Sequence, residues 1–290
     1  MRSSKSIAPP IAPADLERFR EVQQLAYRCV GEVGAALGPG ITERQAAARI
    51  RGWLIDNGVE HWFHTPFARF GDRTTLKAMR NPFKFFPSAR RLEEGMPYIL
   101  DVAPVLGGYT SDVGYAGCLG SNAIWDRMMD DLAEYRTLIL DQVRERRTFA
   151  DIYDAVDALA AKHGYEPAHH VYPGKVLAHQ VWHVQNPGPK TMVAGFGNRS
   201  LRLLGRSLAE SLPEGWSPLW AGGKRSEHEP VPGMWAVEPH LGFRGVGVKF
   251  EELMVVTGND AFWLDDDLPH VRRWQGEARM VPAHESAARA

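Results

Sequence analysis

The sequence has few of the features that mark secreted, membrane-bound or nucleic-acid-binding proteins. Its 290 residues include only two cysteines, too few for a disulfide framework or a thiolate zinc site. The 34 basic and 35 acidic residues nearly cancel, so no net field gathers nucleic acid or an anionic bilayer. No apolar run approaches the roughly 18 residues of a membrane span, and the opening segment lacks the apolar core of a signal peptide. These absences predict a cytoplasmic protein without nucleic-acid or membrane partners.

The residues that are present have the composition of a folded globular domain. Hydrophobic residues make up 44% of the chain and charged residues 24%, with 28 glycines and 20 prolines. The pattern predicts three parts: a flexible arm over residues 1–14, a single folded domain over 15–264, and a peripheral tail over 265–290.

Two similar halves follow each other within the predicted domain. In the first half, helices begin at Asp15 and after Thr42, where Gln45 completes the spacing of a capping box. Strands over 98–105 and 114–119 follow, joined by a glycine turn. In the second half, helices over 124–143 and 149–162 precede strands around 171–184. This repeat predicts a pseudo-symmetric single domain.

Acidic residues in strongly apolar segments are the sharpest chemical signal. Four of them stand in or beside predicted strands: Asp101, Asp112, Glu238 and Glu251. An ionised carboxylate is rarely buried without a partner or a metal. Two carboxylates about 4 Å apart repel by roughly 4 kcal/mol at an effective dielectric constant of about 20. If the four acids converge, a pair of divalent ions resolves the repulsion; otherwise each acid separately caps a turn or pairs with a basic residue.

Two histidines, His179 and His183, lie four residues apart in a similarly apolar segment. Carboxylates and histidines around two ions form the usual hydrolytic two-metal arrangement, in which a bridging water becomes nucleophilic near neutral pH. Mixed oxygen and nitrogen donors suit manganese, cobalt, iron or zinc. For His183 alone, the alternative is a core histidine whose hydrogen bonds are satisfied.

At these positions the sequence resembles the superfamily of methionine aminopeptidases, Xaa-Pro dipeptidases and creatinases. The resemblance rests on Leu-Asp-Val-Ala-Pro-Val-Leu-Gly-Gly-Tyr-Thr-Ser-Asp at 100–112, on His179, on Pro-Gly-Met-Trp-Ala-Val-Glu-Pro at 232–239, and on Lys-Phe-Glu-Glu-Leu-Met-Val-Val-Thr at 249–257. It extends from about Asp15 to Thr257. It implies the pita-bread fold of the α+β class, in which two pseudo-symmetric halves surround a curved, mainly antiparallel sheet. The domain over 15–264 would then be the catalytic domain.

The resemblance also implies roles for the four acids and for His179. Asp101 would chelate the first of two divalent ions, and His179 and Glu238 would bind the second. Asp112 and Glu251 would bridge both ions. Glu238 would also act in catalysis, by accepting the proton of the bridging water.

The substrate-facing positions depart from the pattern of the family. Phe83 and Lys84 occupy the stretch where a histidine usually precedes the first ligand aspartate, and Asn186 stands where a second active-site histidine is usual. Trp182 lies where a glycine usually flanks the ligand histidine. His183 matches a histidine of dipeptidase-like members and is predicted to be catalytic. Lys84, Trp182 and Asn186 are predicted to bind substrate.

The function implied is that of a metal-dependent hydrolase that cleaves a C–N bond with a metal-bridging hydroxide. An aminopeptidase or Xaa-Pro-type dipeptidase acting on small peptides is the first expectation. One alternative is a non-peptidase hydrolase of the creatinase type, acting on a small amide or related metabolite. The other is a binding homologue that has lost catalysis.

A surplus segment, residues 198–232, separates His179 from Glu238 and is called the insertion below. It contains a predicted amphipathic helix over 198–210, followed by a loop rich in proline, glycine and tryptophan. Long loops without regular structure are usually functional or disordered. We expect Trp216 and Trp220 to be exposed unless something covers them. The insertion is therefore predicted to be a lid over the cleft or a contact in a homodimer, with a disordered loop as the alternative.

Overall fold

The computed structural model describes residues 11–77, 82–184 and 191–276, which form six α-helices and sixteen strands. The helices are α1 (Pro13–Ala35), α2 (Glu43–Asp56), α3 (Ala123–Arg144), α4 (Phe149–His163), α5 (Asn198–Ser211) and α6 (Pro269–Trp274). The strands of the first half are β1 (His61–Trp62), β2 (Phe67–Phe70), β3 (Pro97–Val102), β4 (Pro104–Leu106), β5 (Tyr109–Thr110) and β6 (Val113–Cys118). Those of the second half are β7 (Glu166–Pro167), β8 (Val176–Val181), β9 (Met192–Val193), β10 (Phe196–Gly197), β11 (Leu219–Ala221), β12 (Gly233–Val237), β13 (His240–Phe243), β14 (Val246–Lys249), β15 (Glu252–Val256) and β16 (Ala261–Trp263).

The helix ends follow local sequence signals. The side chain of Thr42 accepts a hydrogen bond from the backbone of Gln45, and the side chain of Gln45 accepts one from the backbone of Thr42, which confirms the capping box. Helix α1 begins at Pro13, two residues before the predicted start, because proline is well tolerated in a first turn. Helix α4 ends at Gly164, whose φ of 76° is the left-handed conformation that glycine adopts easily. Among the helices of the described residues, none is long and apolar enough to cross a bilayer.

The strands pair in an antiparallel manner throughout the described ranges. The sheet of the first half has the order β2-β3-β6, and the largest sheet of the second half has the order β11-β8-β12-β15-β16. A bridge between Tyr115 and Phe250 joins β6 to the second half. The predicted glycine turn is present at Gly107 and Gly108, which connect β4 to β5 with positive φ angles.

Each half has its own hydrophobic core. In the first half, α1 and α2 pack on β3 and β6 through buried residues such as Val30, Leu54 and Leu100. In the second half, α3 packs on β14 and β16 and α4 packs on β11, in a core that includes Phe149 and Trp235. The candidate site draws residues from both halves of the fold.

The prediction of a peripheral tail over 265–290 is wrong for its described part. Residues 265–276 contain α6, where His270 and Val271 are buried. The indole of Trp274 donates a hydrogen bond to the carbonyl of Met129 in α3. This segment therefore packs against the cores of both halves, and residues 277–290 lie outside the described residues. Of the predicted arm, residues 1–10 also lie outside them.

The prediction that the insertion is an irregular loop after its helix is also wrong in part. Helix α5 is present as expected, but Leu219–Ala221 form β11, which pairs with β8 at the edge of the large sheet. Trp220, predicted to be exposed, is fully buried, and its ring stacks on Phe149 at 3.9 Å between centroids. Its indole also donates a hydrogen bond to the carbonyl of Phe149.

Candidate metal centre

The five predicted metal ligands meet where the two halves face each other. Asp101 lies in β3 and Asp112 precedes β6; His179 lies in β8, Glu238 follows β12, and Glu251 stands between β14 and β15. All five are buried, with at most 7% of their surface exposed. These five residues are called the central cluster. Residues 250 and 251 separate β14 from β15, so Glu251 lies at the break between these two strands.

One side of the central cluster is formed by imidazoles around Asp112. Its Oδ2 lies 3.2 Å from Nε2 of His179, and its Oδ1 lies 3.0 Å from Nε2 of His64. The same nitrogen of His64 lies 3.1 Å from Oδ1 of Asp101. Burial lowers the pKa of His64, but the charges of Asp112 and Asp101 outweigh burial and raise it well above its ordinary value. His64 is a site residue that the sequence did not predict.

The position of His64 depends on distant parts of the chain. A bridge pairs it with Phe196, just before the insertion. The amide of Thr65 donates to the carbonyl of Gly195 at 2.7 Å, and the amide of Gly197 donates to the carbonyl of Phe63 at 2.8 Å. Because these partners lie some 130 residues away along the chain, nothing in the local pattern indicates that this histidine reaches the acids.

The other side of the central cluster surrounds a lysine. The Nζ of Lys249 lies 2.7 Å from Oε2 of Glu238 and 2.8 Å from Oε2 of Glu251. It also lies 3.2 Å from Oδ2 of Asp101 and 3.2 Å from the hydroxyl of Tyr172. The lysine is fully buried. Lys249 is the first residue of the segment 249–257 on which the resemblance rests. The sequence did not indicate that its ammonium enters the site.

Arg69 is a second buried cation beside the cluster. Its Nη1 lies 3.8 Å from Oδ2 of Asp101, and its guanidinium lies over the rings of Phe67 and Phe85. Only 1% of the residue is exposed, and none of its guanidinium nitrogens makes a hydrogen bond to the described residues. Arg69 therefore contributes positive charge to the cluster while keeping its hydrogen-bond donors unused.

Proton affinities in the cluster reflect an excess of negative charge. Burial, together with the charges of Asp112 and Glu238, holds the pKa of Glu251 well above its ordinary value. Burial also raises the pKa of Glu238. Burial lowers the pKa of Lys249, but the surrounding carboxylates outweigh burial and raise it well above the usual value. Burial raises the pKa of Asp101 and of Asp112, but the charge of Lys249 on Asp101 and that of His64 on both outweigh burial and lower them. The uncompensated negative charge of the cluster is therefore that of Glu238 and Glu251.

The donor atoms fit a divalent ion. One group consists of Asp112, His179 and Glu251, each offering a ligand atom within 4.8 Å of the others. A second group consists of His64, Asp101 and Asp112. Oδ1 of Asp101 is buried, and the polar atom beside it is Nε2 of His64, at 3.1 Å. Carboxylate oxygens with imidazole nitrogens are ligands that suit manganese, iron, cobalt or zinc.

The predicted substrate-side residues lie outside both donor groups. His183 is exposed, and its ring stacks on Tyr109 at 4.0 Å between centroids. Trp182 is half-buried and follows β8, and Lys84 is exposed on a short 3-10 helix. Asn186 lies outside the described residues. The structure thus gathers the acids and His179, and places His183 and Lys84 at exposed positions outside both donor groups.

Comparison with known proteins gives one family and one fold. The model of metallopeptidase family M24 matches residues 17–258, which is most of the chain. A search of curated protein sequences gives no match.

Similar solved structures include the dipeptidase PepE from Mycobacterium ulcerans, with 20% identity and a TM-score of 0.63 over 88% of this chain and 58% of that one. The prolidase from Pyrococcus furiosus has 17% identity and a TM-score of 0.56 over 88% and 64%. The methionine aminopeptidase from Rickettsia prowazekii has 14% identity and a TM-score of 0.59 over 88% and 98%. The chain thus spans less than two thirds of the dipeptidase and prolidase chains. At these identities the likeness shows the fold, and it confirms the predicted α+β pita-bread architecture.

Proposed function

The chain belongs to metallopeptidase family M24 and is a metallohydrolase, and from that premise we propose that it hydrolyses short peptides. An aminopeptidase or an Xaa-Pro-type dipeptidase is the activity proposed first. The observation that carries the proposal is the convergence of four carboxylates and two imidazoles, from both halves of the fold, in one buried cluster. A cluster with uncompensated buried charge has no structural use and suits a bound cation.

Asp112, His179 and Glu251 are proposed to hold a divalent ion. Asp101 and Glu238 complete the set of five ligands that the resemblance assigns to two ions. A bound ion supplies Lewis-acid activation of water and of the scissile carbonyl. Manganese is the proposed ion, with cobalt, iron and zinc as the alternatives that the same donors accept.

Glu238 is proposed to accept the proton of the attacking water. Its backbone amide donates to the carbonyl of Leu177 at 2.9 Å, which fixes the residue at the end of β12. The ammonium of Lys249 holds one carboxylate oxygen at 2.7 Å. A base held by both backbone and side chain keeps the geometry that proton transfer requires.

His183, Lys84, Trp182 and Asn186 are proposed to contact the substrate. The departures at Lys84 and Asn186 from the usual histidines support a second candidate, a non-peptidase C–N hydrolase of the creatinase type. A small amide or guanidino compound would be its substrate. A binding homologue without catalysis is the third candidate.

The insertion is proposed to cover the cleft or to contact a second subunit in a cytoplasmic homodimer. Because β11 belongs to the large sheet, only α5 and its flanks are available for this role. The apolar face of α5, with Leu201, Leu204 and Leu208, is half-exposed. Replacing Leu204 and Leu208 by glutamate and measuring the mass in solution together with turnover tests both versions. Unchanged mass and unchanged turnover would exclude them.

A substrate screen tests the proposed function. The purified protein is supplied with Mn²⁺ and assayed against dipeptides including Xaa-Pro, longer peptides, simple amides and guanidino compounds. Release of an N-terminal residue is expected, and Asp112→Asn is expected to abolish it. Turnover restricted to amides or guanidino compounds would favour the second candidate, and metal binding without any turnover would favour the third.

A further inference from the structure

We propose that the ε-ammonium of Lys249 takes the place of one of the two ions, so that the central cluster binds a single divalent ion. Asp112, His179 and Glu251 hold that ion. The inference rests on the proposed metal-dependent function and changes the composition of its site. Lys249 becomes a permanent cation in the cluster.

The ammonium of Lys249 occupies the space where an ion on Glu238, Glu251 and Asp101 would lie. Nζ of Lys249 makes hydrogen bonds of 2.7 to 3.2 Å with carboxylate oxygens of Glu238, Glu251 and Asp101. A divalent ion on the same three oxygens would lie about 2.0 to 2.6 Å from each. Ion and ammonium would then overlap. These three oxygens can therefore bind either the ion or the ammonium, but not both.

The residue opposite the lysine, Gly114, has no side chain. A Cβ at Gly114 would lie 2.1 Å from Cε and 2.6 Å from Nζ of Lys249. The φ angle of Gly114 is not one that requires glycine. The missing side chain therefore serves the path of the lysine rather than the course of β6.

The ammonium of Lys249 has no other position in the described structure where its charge would be well partnered. Apart from the carboxylates, the polar group within hydrogen-bond distance of its ammonium in the described structure is the hydroxyl of Tyr172, at 3.2 Å. The residue is fully buried. Moving the ammonium away from the acids would leave a buried charge with a single neutral partner, which is costly.

Metal stoichiometry tests the inference. Metal-free full-length protein is equilibrated with excess Mn²⁺, passed through a desalting column and assayed by mass spectrometry for manganese per chain. Electron paramagnetic resonance then distinguishes an isolated Mn²⁺ from a coupled pair. One uncoupled ion per chain is expected for the wild type and for Lys249→Arg, and two coupled ions are expected for Lys249→Met. Lys162→Met, the same change at an exposed lysine, is the matched control and should keep one ion.

Gly114→Ala is the second variant, because it displaces the ammonium without removing the lysine and should also admit two ions. Two ions in the wild type would overturn the inference. One ion in wild type, Lys249→Met and Gly114→Ala alike would overturn the role of the lysine. Wild-type protein that binds one ion but cleaves no peptide would refute the proposed function and leave this inference standing. Two ions in the wild type together with peptide cleavage would refute this inference and leave the proposed function standing.

Discussion

Two adjacent glutamates, Glu251 and Glu252, are both buried but lie in regions with opposite charge balance. Glu251 faces the central cluster, where carboxylates outnumber fixed cations. Glu252 faces away from it and is held by Arg136, with N–O distances of 2.7 and 3.1 Å, and by His270 at 2.9 Å. Arg136, Glu252 and His270 are called the tail cluster. Burial of an acid therefore does not indicate a metal site; a shortage of fixed positive charge around it does.

The largest effect on this comparison should come from breaking the tail cluster. Arg136→Met leaves Glu252 buried without its main partner and should lower the free energy of unfolding by about 3 to 5 kcal/mol. Urea unfolding measures the change. Arg127→Met, which removes an exposed arginine, should change stability by less than about 0.5 kcal/mol. A loss below about 1 kcal/mol for Arg136→Met would show that Glu252 is not held as described.

Breaking the central cluster at Glu238 should affect catalysis instead of stability. Glu238→Gln removes the proposed proton acceptor and should reduce kcat by about a hundredfold or more, with the fold retained. Steady-state kinetics and circular dichroism measure the two properties. Glu229→Gln, at an exposed position, is the control. Activity of Glu238→Gln within a few-fold of the wild type would remove this residue from the mechanism.

Adding metal should stabilise through the central cluster alone. At a free Mn²⁺ concentration of 100 times Kd, the free energy of unfolding should rise by about 2.7 kcal/mol relative to chelator-treated protein. The Arg136→Met variant should gain the same increment, because the tail cluster is neutralised without a metal. A thermal-shift titration measures both proteins. An increment that disappears in the variant would place the metal at the tail cluster.

The smallest effect should come from a histidine beside the donors. His64→Ala removes a contact to both Asp101 and Asp112 and should weaken Mn²⁺ binding by about tenfold. Isothermal titration calorimetry measures the affinity. His270→Ala, which removes the histidine of the tail cluster, should leave the affinity unchanged. Equal Mn²⁺ affinities in both variants and the wild type would show that His64 does not contribute to metal binding.

Local signals predicted most helices and the acids of the central cluster. The capping box at Thr42 and the apolar periodicity of α3 and α4 act within a few residues, so one sequence suffices to find them. The curvature of the sheet and the identity of the fold came from the resemblance to a family. His64 and Arg69 were not predicted, because each reaches the cluster through pairing with a strand distant in the sequence. Lys249 was not predicted, because its ammonium contacts Asp101, 148 residues earlier in the chain.

The predictions for Trp220 and for the tail were wrong for a similar reason, because burial at both places depends on distant parts of the chain. Strand β11 is three residues long, too short for any period to appear, and Trp220 is buried only because Phe149 of α4 lies against it. Helix α6 follows an acidic segment that resembles a solvated tail. Its burial depends on α3, about 140 residues earlier in the chain. Tertiary packing decided these positions where local composition gave the opposite indication.

The two backbone hydrogen bonds between residues 63–65 and 195–197 join the imidazole side of the site to the segment that leads directly into the insertion. Phe63 stacks on the ring of His179 at 4.9 Å, and the next residue is His64. A partner that shifts the insertion must either break these bonds or carry both imidazoles with it. Binding at the insertion and binding at the cluster would then be thermodynamically coupled, and each would change the other by the same free energy.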